Sequence, residues 1–225
     1  MHINPGVVTG AKLLLSYATA AGALTYTARE ALSTVQEKGL ASLAARSAMT
    51  TGLVFSFFQL LPHQPVGVSE VHLILGSTLF LIFGAAPAAL GLALGLLAQG
   101  LFFTPFDLPQ YGMNVTTLLV PLFGLAMLAR HVIKPGTAYV DLRYGQAMKL
   151  SVAYQGGIVA WVGFWAFYGQ GFTATNIAHV ATFGAAYMTV VLVEPLIDLG
   201  VLALAKRLAG LEQSGLVTPR LFAAA

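Results

Sequence analysis

The sequence predicts an all-α integral membrane protein, a bundle of about seven transmembrane helices with its N-terminus outside and its C-terminus in the cytoplasm. Two observations lead to this prediction. Hydrophobic residues make up 57% of the 225 residues and charged residues only 8%, whereas soluble domains carry about 25% charged residues. The basic residues also fall in alternate connecting segments, as they do in multi-pass membrane proteins.

Apolar segments recur along the chain at lengths that suit a hydrocarbon core of about 30 Å. They lie at 7–28, 40–61, 71–86, 87–103, 114–133, 151–169 and 177–203. The stretch 71–103 is too long for one helix, and Gly84 and Pro87 at its centre combine a helix stop with a proline suited to a first turn. We therefore expect two short spans joined by a tight hairpin.

The distribution of basic residues predicts the orientation. Lysines and arginines are concentrated in the segments 29–46 and 130–149 and at the C-terminal end. The segments 62–70, 104–113 and 170–176 contain none. With seven spans, every basic segment lies on the cytoplasmic side and every segment without Lys or Arg lies outside. With six, the most basic loop would face outward.

The length leaves room for one transmembrane domain, residues 1–207, and a short cytoplasmic tail, residues 208–225. The absence of cysteine from the sequence excludes disulfides and thiolate ligands. Residues 1–11 carry no Lys or Arg, so we do not expect a cleaved secretory signal. We also expect Met1 to be retained, because the bulky His2 should block its removal.

The first two residues form a potential metal chelate. The α-amine of Met1, the amide nitrogen of His2 and the imidazole of His2 can close two fused rings around a divalent ion, provided that the amide is deprotonated. Late first-row ions such as Cu(II) and Ni(II) accept a planar set of nitrogens. The fourth position of the plane would need a donor from elsewhere in the fold.

His72 is the strongest candidate for this fourth donor. It lies near the outer end of the predicted third span, in an apolar run where an ionisable residue is costly and usually functional. His63 competes, but its proline-flanked loop favours a solvated side chain. Glu70 has two interpretations: a solvated residue at a helix start, or a carboxylate that orients an imidazole.

Two further acids, Glu194 and Asp198, lie four residues apart in the last apolar segment and thus on one helix face. The favoured interpretation is a helix kinked at Pro195 whose acids pair with basic groups such as Arg46 or Lys149. The alternative is a docking point for a partner subunit.

The chain resembles the substrate-capture components of energy-coupling-factor cobalt and nickel importers, the CbiM/NikM type. Four stretches between residues 1 and 130 carry the resemblance: Met1-His2-Ile3, the run from Val68 to Gly76 that contains His72, the run from Gln99 to Phe103, and Gly112-Met113-Asn114. The resemblance implies about seven spans and a metal held by Met1, His2 and His72. Glu70, His63 and Asn114 are weaker candidates.

The resemblance also implies partners. A transmembrane energy-coupling subunit, cytoplasmic ATPase subunits and possibly a small accessory membrane subunit would assemble with this chain in the inner membrane, and nucleic acid would have no part. The transported Co(II) or Ni(II) would be a substrate, and no tightly held cofactor is expected.

Enzyme motifs are not found in the sequence, which contains no HExxH, GxSxG, P-loop or GxGxxG with a following acid. Two alternatives to an importer subunit remain at this stage. One is a self-sufficient secondary metal permease. The other is a membrane-embedded metallohydrolase that uses His63, His72 and Glu70.

Overall fold

The computed structural model describes residues 2–208 and 210–223. Seven α-helices dominate it: α1 Leu13–Leu60, α2 Gly76–Phe83, α3 Ala85–Phe102, α4 Tyr111–Val132, α5 Tyr144–Gln170, α6 Ala174–Met188 and α7 Glu194–Arg207. A short antiparallel hairpin, β1 Gln64–Val66 and β2 Ser69–Val71, connects α1 to α2. Within the described residues, five helical stretches are long and apolar enough to cross a membrane. The predicted class, an all-α membrane protein, is therefore confirmed.

Helix α1 consists of two antiparallel halves, because Gly39 has a non-helical backbone with φ +82° and ψ 161°. Tyr17 near its start donates to the carbonyl of Pro109, and Phe58 near its end contacts the ring of His2. Both contacts lie at the same end of the bundle. Residues 13–38 and 40–60 therefore run in opposite directions, and the reversal at Gly39 lies within the basic segment 29–46 expected between the first two spans.

The second half of α1 packs closely against α3 because α3 presents glycines to it. A Cβ on Gly91 would overlap Thr50, and one on Gly95 would lie 2.7 Å from Val54 Cγ1. The hydroxyl of Thr50 donates to the carbonyl of Pro87 over 2.7 Å. Small residues allow helices to approach each other this closely in membranes. Gly91 and Gly95 therefore serve packing between helices of this chain.

The region 71–86 differs from the predicted span. The predicted break at Gly84 is confirmed, since Gly84 has φ +89° and separates α2 from α3. Helix α2 contains only 8 residues, however, and residues 72–75 before it are not helical. His72 thus lies in an irregular segment after β2 and not in a helix. Residues 69–71 form a strand. In a short apolar run, the spacing of hydrophobic residues does not distinguish a strand from a helix.

The two ends of the chain also depart from the predicted spans. The first helix begins at Leu13, after a 3₁₀ turn at Gly10–Lys12, because the residues before it pair with the β-hairpin. The last apolar segment is divided by a 3₁₀ turn at Thr189–Leu192, so that Pro195 lies in the first turn of α7. A missing N–H has no cost there.

The acids of α7 do not form the ion pairs expected from the sequence. Arg46 instead donates to the carbonyl of Phe83 over 2.9 Å. Glu194 and Asp198 accept hydrogen bonds from uncharged side chains. The reason is that Arg46 lies at the end of the bundle near Gly84, away from the first turns of α7. Beyond α7, residues 210–223 fold back, and the amide of Thr218 donates to the carbonyl of Ile82 over 2.8 Å.

Candidate metal centre

The N-terminal segment is held in place as a third strand beside the hairpin. Ile3 forms an antiparallel bridge with Ser69. The amide of Asn4 donates to the carbonyl of Val68, and the amide of Glu70 donates to the carbonyl of His2, each over 3.1 Å. The side chain of Ile3 is fully buried. Backbone pairing and burial together fix the position of His2.

This pairing brings His2, Glu70 and His72 together. One potential ligand atom from each residue lies within 4.8 Å of the other two. The two histidines are buried, with 5% and 1% exposure, and Glu70 is partly exposed. Met1, the remaining predicted ligand, lies outside the described residues.

The hydrogen bonds of His2 define which ring nitrogen is available. Nε2 lies 2.7 Å from Oε1 of Gln99, and the amide nitrogen of Gln99 donates to Gln59 over 3.3 Å. Because Oε1 of Gln99 only accepts, Nε2 carries the proton and donates. Nδ1 of the neutral ring therefore carries a lone pair, and it has no hydrogen-bond partner among the described residues.

His72 has the same arrangement. Its Nε2 lies 2.9 Å from Oε2 of Glu70, so Nε2–H donates to the carboxylate. Its Nδ1 is buried and has no partner in the described part of the chain. The edge of the ring meets Phe58 at 5.2 Å between centroids, and the exposed ring of His63 stacks on it at 4.9 Å. A carboxylate on the far nitrogen is the usual support of a metal-binding histidine.

Both imidazoles are neutral near pH 7. Burial lowers the pKa of His2 to about 3. His72 is still more buried than His2, and burial disfavours a charged ring there as well. The neutral imidazole is the form that binds a metal, because protonation removes the lone pair.

Asp107 adds a carboxylate beside His2. Its Oδ2 lies 3.2 Å from Nδ1 of His2, but the geometry does not make a hydrogen bond. Both atoms are acceptors when the ring is protonated at Nε2. A cation bound to Nδ1 would relieve their repulsion, and Asp107 thus adds negative charge to the candidate centre.

The weaker candidates occupy different positions. Asn114 is buried and accepts a hydrogen bond from the amide of Ile3 over 2.9 Å, so it supports the N-terminal strand. His63 is outside the group of converging donors and covers His72 from the solvent side. Glu70 belongs to the group and orients His72.

Sequence reasoning did not assign Asp107 or the exact role of Gln99. Both are buried polar residues, Gln99 near the end of the apolar segment 87–103 and Asp107 in the connecting segment 104–113. A lone acid in a loop without basic residues is the signal that could have identified Asp107. Gln99 follows His2 by 97 positions and Asp107 by 105, and only the fold shows that both are its neighbours.

Comparisons with solved structures agree with this fold. Two solved structures have a similar fold. A crystal structure of a transition metal transporter is 18% identical, with 92% of this chain and 93% of that chain covered and a TM-score of 0.69. A truncated transition metal transporter is 17% identical, with 92% and 96% covered and a TM-score of 0.63. No curated protein matches the chain.

The family comparison covers nearly the whole chain. Residues 2–210 match the model of the family described as "cobalt uptake substrate-specific transmembrane region". The match confirms the resemblance seen in the sequence motifs and extends it beyond residue 130. The chain belongs to the CbiM family of transmembrane components for cobalt uptake.

Proposed function

We propose that this chain is the substrate-binding subunit of an energy-coupling-factor importer for Co(II) or Ni(II), and that it binds the ion with its free N-terminus and His72. The main supporting observation is that the buried imidazoles of His2 and His72, each with an unpartnered Nδ1, lie in one cluster with Glu70. Two imidazoles with free lone pairs in one cluster suit a soft-to-intermediate divalent ion.

The free nitrogen of His2 is the one that the chelate needs. Nδ1 can close a six-membered ring with a metal bound to the amide nitrogen of the same residue, whereas Nε2 points away from the backbone. The bond from Nε2 to Gln99 leaves Nδ1 available. The amine of Met1 would complete a three-nitrogen set, and Nδ1 of His72 would supply the fourth.

The neighbouring carboxylates balance the charge of the ion. Glu70 holds Nε2–H of His72, and Asp107 lies beside Nδ1 of His2. Such partners fix ring orientation and raise the basicity of the ligand. A planar set of four nitrogens favours Ni(II), while Co(II) accepts the same donors.

Seven crossings of the membrane agree best with the helices and the charges. The proposed crossings are residues 13–38, 40–60, 72–83, 85–102, 111–132, 144–170 and 174–207. The third joins a short irregular stretch to α2 and reaches up to about 25 Å, near the thickness of a hydrocarbon core.

The charges favour an external candidate metal centre. Lys12 lies at the end of the bundle that holds this centre, where it binds the carbonyls of Tyr168 and Gly169. The other Lys and Arg residues lie towards the opposite end, where Lys206 pairs with Asp141. From the positive-inside rule we infer a metal centre outside the cell and a C-terminal segment 208–225 in the cytoplasm.

The proposed energy source is a set of partner subunits. A transmembrane coupling subunit and cytoplasmic ATPases would drive release of the captured ion inward. The family resemblance also implies a small accessory membrane subunit as an optional further partner. The family description names a substrate-specific region, which is one role within a larger transport system.

Reconstitution tests the proposal. Proteoliposomes that contain this chain alone should bind ⁵⁷Co(II) or ⁶³Ni(II) without sustained uptake, and addition of the coupling subunit, the ATPases and ATP should produce uptake. His72→Ala should abolish uptake, while His63→Ala should preserve it. Sustained uptake by the chain alone would contradict the proposal and favour a secondary permease.

A further inference from the structure

A second polar cluster lies inside the helical bundle, apart from the histidine centre. Glu194 and Asp198 are one turn apart in α7, with 0% and 1% exposure. Ser151 and Gln155 approach Glu194 from α5, and Ser77 and Thr78 approach Asp198 from the start of α2. Three helices thus converge on two acids.

The hydrogen bonds favour ionised carboxylates. Oε2 of Glu194 accepts from the hydroxyl of Ser151 and from Nε2 of Gln155, the latter over 2.7 Å. The oxygens of Asp198 accept from the hydroxyls of Ser77, over 2.8 Å, and Thr78. Donors of this kind stabilise the charged form of a carboxyl group.

In its ionised form, which the hydrogen bonds favour, the pair of acids would have no protein counter-ion in the described residues. Neither acid forms an ion pair with Lys, Arg or His in residues 2–208 and 210–223. Uncompensated charge inside a membrane protein is costly, and such residues usually pair with an ion or a substrate.

Unpartnered oxygens at the cluster point to the missing partner. Oε1 of Glu194 and Oε1 of Gln155 are both buried without a hydrogen-bond partner in the described chain. The amide nitrogen of Gln155 already binds Glu194, so its oxygen belongs to the same cluster. The hydroxyls of Tyr154 and Tyr187 are also buried and unpartnered there, and both lie within electrostatic range of Glu194. The oxygens of Glu194 and Gln155 only accept, so a cation would satisfy them, and a hydroxyl could add a lone pair to the same ion.

We propose that Glu194 and Asp198, together with the side-chain oxygen of Gln155 and neighbouring hydroxyls, form a second metal site that binds a hard divalent cation such as Mg²⁺ or Mn²⁺. Two carboxylates balance the charge of one divalent ion. Oxygen-only donors suit Mg²⁺, Ca²⁺ and Mn²⁺, whereas the imidazoles of the outer centre suit later transition metals. The second site therefore does not depend on the function proposed for the histidine centre.

Mn(II) binding, followed by electron paramagnetic resonance, tests this proposal. The full-length protein is purified in lipid nanodiscs, and free Mn(II) is measured during titration near pH 7.5. We expect one saturable Mn(II) per chain. Glu194→Gln and Asp198→Asn, which keep the side-chain size, should each weaken binding by about 10–100-fold or more. His72→Ala should leave Mn(II) binding unchanged.

Asp141→Asn is the matched control, because Asp141 is an exposed acid that pairs with Lys206 of the same helix α7. It should bind Mn(II) as the unmodified protein does. Excess Mg(II) should displace Mn(II) from the unmodified protein, a result that does not require any variant to fold. It should not displace Co(II) from the histidine centre.

Three results would overturn the second site: no saturable Mn(II) binding by the unmodified protein, equal binding by Glu194→Gln, or loss of Mn(II) binding in His72→Ala. The last result would assign the Mn(II) to the histidine centre. Failure of Co(II) binding at His72 would overturn the proposed function alone, so the two failures are distinguishable.

Discussion

At the scale of single residues, the candidate metal centre depends on the far nitrogens of its two histidines. Gln99 accepts from Nε2 of His2, and Glu70 accepts from Nε2 of His72. These acceptors select one tautomer of each ring and orient both free nitrogens before any ion arrives. Preorganisation of this kind reduces the cost of binding, because the rings lose little freedom when the metal is captured.

The first prediction separates His72 from its neighbour His63. Loss of a residue that only hydrogen-bonds to a metal ligand lowers metal affinity by roughly 10–100-fold. His72→Ala removes a proposed ligand itself and should lower the affinity for Co(II) by more than that. His63→Ala should have a small effect, because His63 is exposed and contacts His72 only by stacking. Equilibrium dialysis with metal analysis measures both. Unchanged affinity in His72→Ala would remove this residue from the ligand set.

The second prediction concerns the stability of the metal-free protein below neutral pH. The folded-state pKa of His2 is lowered to about 3, whereas an unfolded histidine has a pKa of about 6.5. Below pH 6.5 the unfolded chain therefore binds more protons, and the free energy of unfolding falls as the pH falls. His2 contributes up to about 1.4 kcal/mol per pH unit in this range.

Chemical denaturation at pH 7 and pH 5 measures this slope. His2→Gln should show a shallower loss of stability than the unmodified protein, and His63→Gln should match the unmodified protein because its ring is exposed. Equal slopes for His2→Gln and the unmodified protein would contradict the buried, neutral state of His2.

At the scale of elements, the N-terminal strand connects the terminus to the hairpin. Ile3 is fully buried and bridges Ser69, and Asn114 holds its amide. Ile3 offers no ligand atom from its side chain, so its contribution to metal binding is positional. Replacement of a fully buried isoleucine by alanine typically lowers the free energy of unfolding by about 2–5 kcal/mol.

The third prediction follows from this role. Ile3→Ala should weaken Co(II) binding by about tenfold or more, equivalent to about 1.4 kcal/mol, because the strand docks less firmly. Ile177→Ala is the control, since Ile177 is 47% exposed on α6. Isothermal titration calorimetry on both variants provides the comparison. An Ile3→Ala protein with unmodified affinity would show that strand docking does not position the ligands.

The sequence allowed the helices to be predicted better than the segments that carry the site. The break at Gly84 could be predicted, because it follows from the local backbone preferences of a glycine with a proline shortly after it. The hairpin and the irregular residues 72–75 could not, since three-residue strands in an apolar run have no distinct period. The roles of Gln99 and Asp107 depend on long-range contacts that spacing does not show.

At the scale of the whole molecule, the two ends differ in charge. The end with His2 and His72 contains the hairpin and only Lys12 among the basic residues described above. The other end contains the pairs and cavities formed by residues such as Arg130, Tyr139 and Arg220. This polarity supports capture at one face and contact with partners at the other.

The fourth prediction tests the orientation with single cysteines, for which the chain offers a background without native cysteine. Gln64→Cys should react with an impermeant thiol reagent added to intact cells, and Pro135→Cys should react only after permeabilisation. Both positions are exposed. Gly67 is unsuitable, because a Cβ there would overlap the carbonyl of His179. The reverse labelling pattern would contradict an external N-terminus.

The central claim is that the free N-terminus itself binds the ion, and its most direct test is metal analysis of the protein with an extended N-terminus. A tag of many residues converts the amine of Met1 into an amide and removes the free amine from the site, while every side chain remains. A single added residue is unsuitable, because its amine, two amides and the imidazole of His2 would form a new planar chelate. We predict that a protein extended before Met1 folds and inserts but loses tight Co(II) and Ni(II) binding, and that a C-terminal extension has no such effect. Full metal binding by an N-terminally extended protein, shown intact by mass spectrometry, would contradict the account.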